Sequence, residues 1–101
     1  MTIAYFLIKA IRLGETMQKL TYKVKKMMGI HARPASALAQ FARMYQSDIK
    51  LYCQNRCANA KRMVEIMELS IHKDEEILFE ICGEDECRVV KALQQYCHSY
   101  L

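Results

Sequence analysis

An imidazole, a guanidinium and a proline stand close together in the run Gly29-Ile30-His31-Ala32-Arg33-Pro34-Ala35-Ser36. His31 falls where a loop gives way to a helix, a position that favours Ser, Thr, Asp or Asn. Local preferences tend to be broken at functional sites. Pro34 suits the first turn, because the amide it lacks would have no helical partner there. The amides of Ala32 and Arg33 are likewise without partners inside the helix, and the helix dipole makes this end partly positive, so the junction suits an anion. Neutral imidazole is a nucleophile for phosphorus. A phosphoryl group carried on His31 would meet the Ala32 and Arg33 amides and the Arg33 side chain, which stabilise its oxygens. Such transfer depends on positioning and charge stabilisation. A group that is taken up and given away again calls for an open, shallow site.

The elements that must position these residues follow from periodicity. Leu20 to Lys25 alternates apolar and polar residues and is predicted to be a half-buried strand, followed by a loop at Met28-Gly29. Ala35, Leu38, Ala39 and Ala42 recur at helical spacing beside Phe41, which predicts a helix over about 32–44. Asp48 to Cys53 alternates again, Gln54-Asn55 is a two-residue turn without the usual glycine, and Arg56 to Asn59 completes a hairpin. Met63, Ile66 and Met67 mark a helix over 62–69, and Lys73 to Glu75 is a charged turn. Glu76 to Cys82 is rich in strand formers and stops at Gly83. Val89, Val90, Leu93, Tyr96 and Cys97 mark a last helix, whose start is favoured by Glu84, Asp85 and Glu86. The order βαββαβα predicts an α+β open-faced sandwich, a four-stranded antiparallel sheet with three helices on one face. His72, in a polar turn, and His98 have no evident partner and read as surface histidines.

Composition bounds the reading. The 101 residues are 52% hydrophobic, enough for one small domain with a real core, which excludes a disordered chain. The net charge of +4 suits acidic partners or phosphorylated ligands, and no dense Lys/Arg tract supports nucleic-acid binding. The odd set Cys53, Cys57, Cys82, Cys87 and Cys97 lacks the tight repeated pairs of a structural zinc site, so no metal is expected. These thiols read as small buried hydrophobes and free surface groups in a reducing cytoplasm. No apolar run approaches the ~20 residues of a membrane span. Residues 1–16 differ from the rest: the stretch from Met1 to Leu13 has the apolar spacing of a short helix, and Met17 follows Gly14-Glu15-Thr16. Either 1–16 is an over-called upstream segment and Met17 the natural start of a domain over 17–101, or it is an extra helix lying on that domain. N-terminal mass spectrometry of the native protein distinguishes the two.

From Met17 onward the chain resembles the histidine-containing phosphocarrier protein (HPr) family of the bacterial phosphoenolpyruvate-dependent sugar phosphotransferase system. Two anchors carry the resemblance: Gly29-Ile30-His31-Ala32-Arg33-Pro34-Ala35, and Ala58-Asn59-Ala60-Lys61 at the entrance of the middle helix. The resemblance implies a cytoplasmic monomer that works as a phosphoryl carrier, not an enzyme, and needs no cofactor. It would accept the group from enzyme I on His31, with Arg33 stabilising the phosphate, and pass it to sugar-specific enzyme IIA domains. It further implies that Met63, Val64 and Met67, with Ser36 and Gln40 on the first helix, form a patch where partners dock. Arg43, Lys61 and Arg62 would rim that patch and steer acidic partners. Methionine suits a surface that accepts several partners.

The chain departs from the family at two positions. Arg62 stands where many relatives carry a serine phosphorylated by a regulatory kinase, and Met28 stands where a polar residue near the phosphate is common. Two other readings stay open on this sequence. One is an interaction module that binds regulatory proteins, with phospho-His31 as a signal; the other is a carrier for a non-sugar, nitrogen-related relay.

Overall fold

The computed structural model describes residues 17–101; the expectations for 1–16 lie outside the described residues. Its elements in chain order are β1 (Gln18–Lys23), α1 (Ala32–Ala42), β2 (Asp48–Cys53), β3 (Arg56–Asn59), α2 (Met63–Glu68), β4 (Glu76–Cys82) and α3 (Glu86–Tyr100). The strands form one antiparallel sheet in the order β1-β4-β2-β3. This is the open-faced sandwich expected from the element order.

Register explains why one face is covered. Leu20, Phe79, Leu51 and Ala58 lie side by side across the four strands, and Tyr22, Ile77 and Cys53 form the next row. With Ile49 and Ile81 they make the floor of the core. Because side chains alternate faces along a strand, this register puts the apolar set on one side and Lys19, Lys50 and Glu80 on the other. Leu38, Ala39 and Ala42 of α1, Ile66 of α2, and Val89, Leu93 and Cys97 of α3 close over the floor. Phe79 sits at the centre with no exposed surface, and its truncation to alanine would cost about 3–5 kcal/mol.

Boundaries differ from the sequence reading in three places. β1 begins earlier and ends at Lys23, although Val24 keeps the inward phase of the strand, is fully buried, and its amide bonds the Glu75 carbonyl at 3.0 Å. α1 stops at Ala42 and frays through turns over 43–45, where the Met44 amide reaches Phe41 O and the Tyr45 amide reaches Ala42 O. α2 is confined to 63–68, with Arg62 and Leu69 as its caps. The turn at Gln54 does without glycine by taking φ +50° at that residue. At the start of α3 the acids do more than favour the dipole. Asp85 makes no side-chain cap; its carboxylate instead accepts from the Gln46 and Ser47 amides at 3.0 Å and from the Ser47 hydroxyl. Those bonds, the Ser47 hydroxyl first, hold the Asp85 carboxyl down to about 2. Buried Glu86 accepts the Gly83 amide at 2.9 Å.

Candidate functional site

His31 caps α1 with extended backbone (φ −89°, ψ −162°), and no side chain accepts from the first-turn amides. The first helical bond runs from the Ala35 amide to the His31 carbonyl at 2.9 Å. The amides of Ala32 and Arg33 therefore lie in the turn that has no internal acceptors, and the first turn holds no acidic residue to compete for them. His31, Ala32 and Arg33 are all exposed. Arg33 is in no ion pair among the described residues. The ring, the free donors and an unpaired guanidinium thus face solvent together at the positive end of an 11-residue helix.

The loop that presents His31 is held from two sides. Gly29 takes φ +65°, and a Cβ there would lie 2.2 Å from the Ile71 carbonyl oxygen, so only glycine fits. That same carbonyl accepts the Ile30 amide at 3.0 Å, and the Ile30 side chain is buried. On the other side the Lys25 and Lys26 amides bond the Leu101 carbonyl at 2.8 and 3.0 Å. An exposed ring on a fixed loop is pre-organised for attack without being shut away from its partners.

Two clefts open beside the ring. One, of about 240 Å³, is lined by Met28, Ile30, His31, Ala32, Met67, Ser70, Ile71 and His72. The other, of about 500 Å³, lies between Met27, Met28, Pro34 and the end of α3 at Tyr96 and Tyr100, with Lys26, Arg33 and His31 at its edge. Burial pushes the Tyr96 phenol above its ordinary value, so it stays neutral.

The expected docking residues fall into two groups. Arg43, Lys61, Arg62, Met63 and Val64 line one surface hollow of about 560 Å³ with Asn59, whereas Met67 lines the smaller cleft with His31. Val64 is 66% exposed and Met67 is 39% exposed, while Met63 is half-buried against the core. Ser36, Gln40 and Arg43 share a helical face by spacing; Ser36 is half-buried and the other two are exposed. The rim charges are less free than expected. Lys61 Nζ donates to the Tyr45 carbonyl at 2.8 Å, Arg43 Nη1 to the Lys61 carbonyl at 2.9 Å, and Arg62 Nε lies 3.1 Å from the Glu65 carboxylate.

The two other histidines are exposed, as the sequence reading has them, and each has a neighbour that reading did not foresee. The His98 ring meets Tyr22 edge-on at 5.6 Å. His72 Nδ1 lies 3.6 Å from Glu75 Oε1, and His72 shares the smaller cleft with His31. That cleft and the approach of Tyr96 and Tyr100 were missed from sequence, since no local pattern signals which distant turns meet His31. The five thiols are unpaired: Cys53 and Cys97 are buried, Cys57 and Cys87 exposed, Cys82 half-buried. Burial pushes the Cys97 thiol up to about 12. Among the described residues no three metal-ligating side chains gather, and no helix is long and apolar enough to cross a membrane.

Residues 18–99 match the family model described as the PTS HPr component phosphorylation site. Solved structures with the same fold include HPr-C-His of Thermoanaerobacter tengcongensis (31% identity, 82% of this chain and 93% of that one, TM-score 0.77). The phosphocarrier protein HPr of Bacillus anthracis is 29% identical over 81% of this chain and 98% of that one, with a TM-score of 0.76. The histidine-containing phosphocarrier protein of Mycoplasma is 29% identical over 77% and 89%, with a TM-score of 0.74.

Proposed function

Because the chain belongs to the HPr family of the phosphotransferase system, we propose that it carries a phosphoryl group on His31 between enzyme I and sugar-specific enzyme IIA domains. Family and fold support a phosphocarrier role in that system, and the proteins of this family are generally carriers, not enzymes. The observation that supports His31 as the carrying residue is its exposure at the uncapped start of α1, beside the open amides of Ala32 and Arg33.

The exchange is a displacement at phosphorus. The Nδ1 lone pair of neutral His31 forms a P–N bond as the bond from phosphorus to the donor atom breaks, and that donor atom leaves with the electron pair. The other nitrogen of His31 keeps its proton. The equatorial oxygens keep their negative charge throughout, and the two amides and the Arg33 guanidinium meet it. Handing the group to an acceptor is the same step in the other direction, so a site that stabilised the phosphoryl state too strongly would stall it. Solvent exposure and long-reach donors keep that stabilisation moderate. In this reading the protein is a cytoplasmic monomer that serves as substrate for its partners on both sides and needs no cofactor of its own. Met63, Val64 and Met67, with Ser36, Gln40, Arg43, Lys61 and Arg62 about them, make contact with those partners.

The test is transfer of labelled phosphate from phosphoenolpyruvate through purified enzyme I. Acid-labile label on the unaltered chain and none on His31→Ala is the expected result. Label retained by His31→Ala would overturn the assignment of the residue. No label on the unaltered chain would overturn the carrier role.

A further inference from the structure

Large apolar side chains are also exposed around the larger of the two clefts beside His31. Met27 is 81% exposed, Met28 72% and Tyr100 61%, and all three border the 500 Å³ cleft whose edge His31 and Arg33 form. Inside it, Tyr96 and Tyr100 pack ring against ring at 4.9 Å, and Tyr96 stacks in turn on Phe41 at 4.5 Å, so the inner wall is rigid. The outer wall is two consecutive methionines on a turn whose backbone is held by the Lys25 and Lys26 amides on Leu101. A fixed aromatic wall facing flexible thioethers makes a slot that adapts to the side chain entering it. Every charged side chain that lines the cleft, Lys26 and Arg33, is basic, and no acidic residue lines it.

We infer that this cleft is a second docking wall for the proteins that exchange phosphate with His31, receiving a protruding apolar side chain from an acidic partner surface. The inference rests on the carrier reading above and adds the wall of Met27 and Tyr100, joined through Met28 to the cleft that Met67 lines. The occupant follows from charge and shape. A second copy of this chain would set Lys26 and Arg33 against the same cations. A small ligand inside the slot would leave the outward-projecting methionines wet, whereas a protein surface closing over it covers them. An acidic rim on that surface would meet Lys26 and Arg33 while His31 stays within its reach. Docking on two sides of the ring at once also restricts how the partner's reacting atom approaches, which a single patch does less well.

The test pairs kinetics with methyl resonances. The full chain, labelled at its methionine methyls, is titrated with unphosphorylated enzyme I and with a IIA domain. The resonance of Met27, which borders only the larger cleft, should shift along with that of Met67. In the transfer assay, the variant Met27→Gln should raise KM for at least one partner by about three- to tenfold with kcat little changed. Lys26→Glu should raise it further and weaken its dependence on salt. Met27 is so exposed that these variants fold, which circular dichroism checks. Shifts confined to Met28, Met63 and Met67, with KM unaltered in both variants while the unaltered chain transfers phosphate normally, would overturn the second wall and leave the carrier reading standing. Equal shifts of Met27 and Met28 with octyl phosphate alone, or their appearance only on self-association, would overturn it in favour of a small-ligand site or a dimer. Failure of the unaltered chain to accept phosphate would remove both readings.

Discussion

The starts of α1 and α3 are built from the same local physics and put to opposite use. Each follows a glycine that tolerates no Cβ: at Gly29 it would run into the Ile71 carbonyl, and at Gly83 it would come within 2.6 Å of Ser47. Each has free amides in its first turn. At α3 the surroundings are closed up: Asp85 takes three bonds from Gln46 and Ser47, and buried Glu86 takes the Gly83 amide. At α1 a histidine stands where an acid would cap, no acid follows, and the positive end faces water. The lesson is that an open helix start is a choice the sequence makes at one position while securing the fold at another.

Substitutions that convert one start into the other break this contrast most sharply. His31→Asp gives α1 a preferred cap, and it should abolish phosphate acceptance while raising stability by about 1 kcal/mol in denaturant melts. Gly29→Ala forces a Cβ into the Ile71 carbonyl at positive φ and should cost about 3 kcal/mol, with loss of transfer as the loop shifts. Opening the closed start comes next. Asp85→Asn should cost about 2 kcal/mol by weakening bonds to a charged acceptor, with transfer at 25 °C intact. The sign of its pH dependence is defined. The Asp85 carboxyl sits at about 2 in the folded chain against about 3.9 unfolded. Its contribution is therefore full above pH 4 and lost as pH falls toward 2, so acid melts of variant and unaltered chain should converge there. The smallest effect is Arg33→Ala, which should slow transfer about tenfold, or 1.4 kcal/mol, by removing one cation while the backbone donors remain.

How far the chain was legible follows the range of each interaction. β2 came from alternation, with Ile49 and Leu51 in a period that one sheet face satisfies, β4 from its run of strand formers about Ile77, Phe79 and Ile81, and β3 from the turn at Gln54-Asn55. His31 stood out because it violates a local preference and sits with Arg33 and Pro34. Interactions across distant segments left no such trace. Nothing in Glu84-Asp85-Glu86 marks the middle acid as the one that binds Ser47, and nothing in Lys61 says that its ammonium turns inward to the Tyr45 carbonyl. The rim thus looked more freely charged than it is. The order of strands and the arrival of Tyr100 beside His31 likewise depend on how separate elements pack.

The chain contains six tyrosines and no tryptophan, and Phe41, Tyr96 and Tyr100 form a stack that ends at the cleft beside His31. Phenol emission near 300 nm is thus free of the indole signal that usually masks it. Tyr100, the exposed ring at the open end of that stack, would change its quantum yield whenever something covers it. The molecule carries its own dye at the mouth of its working site, readable without any label.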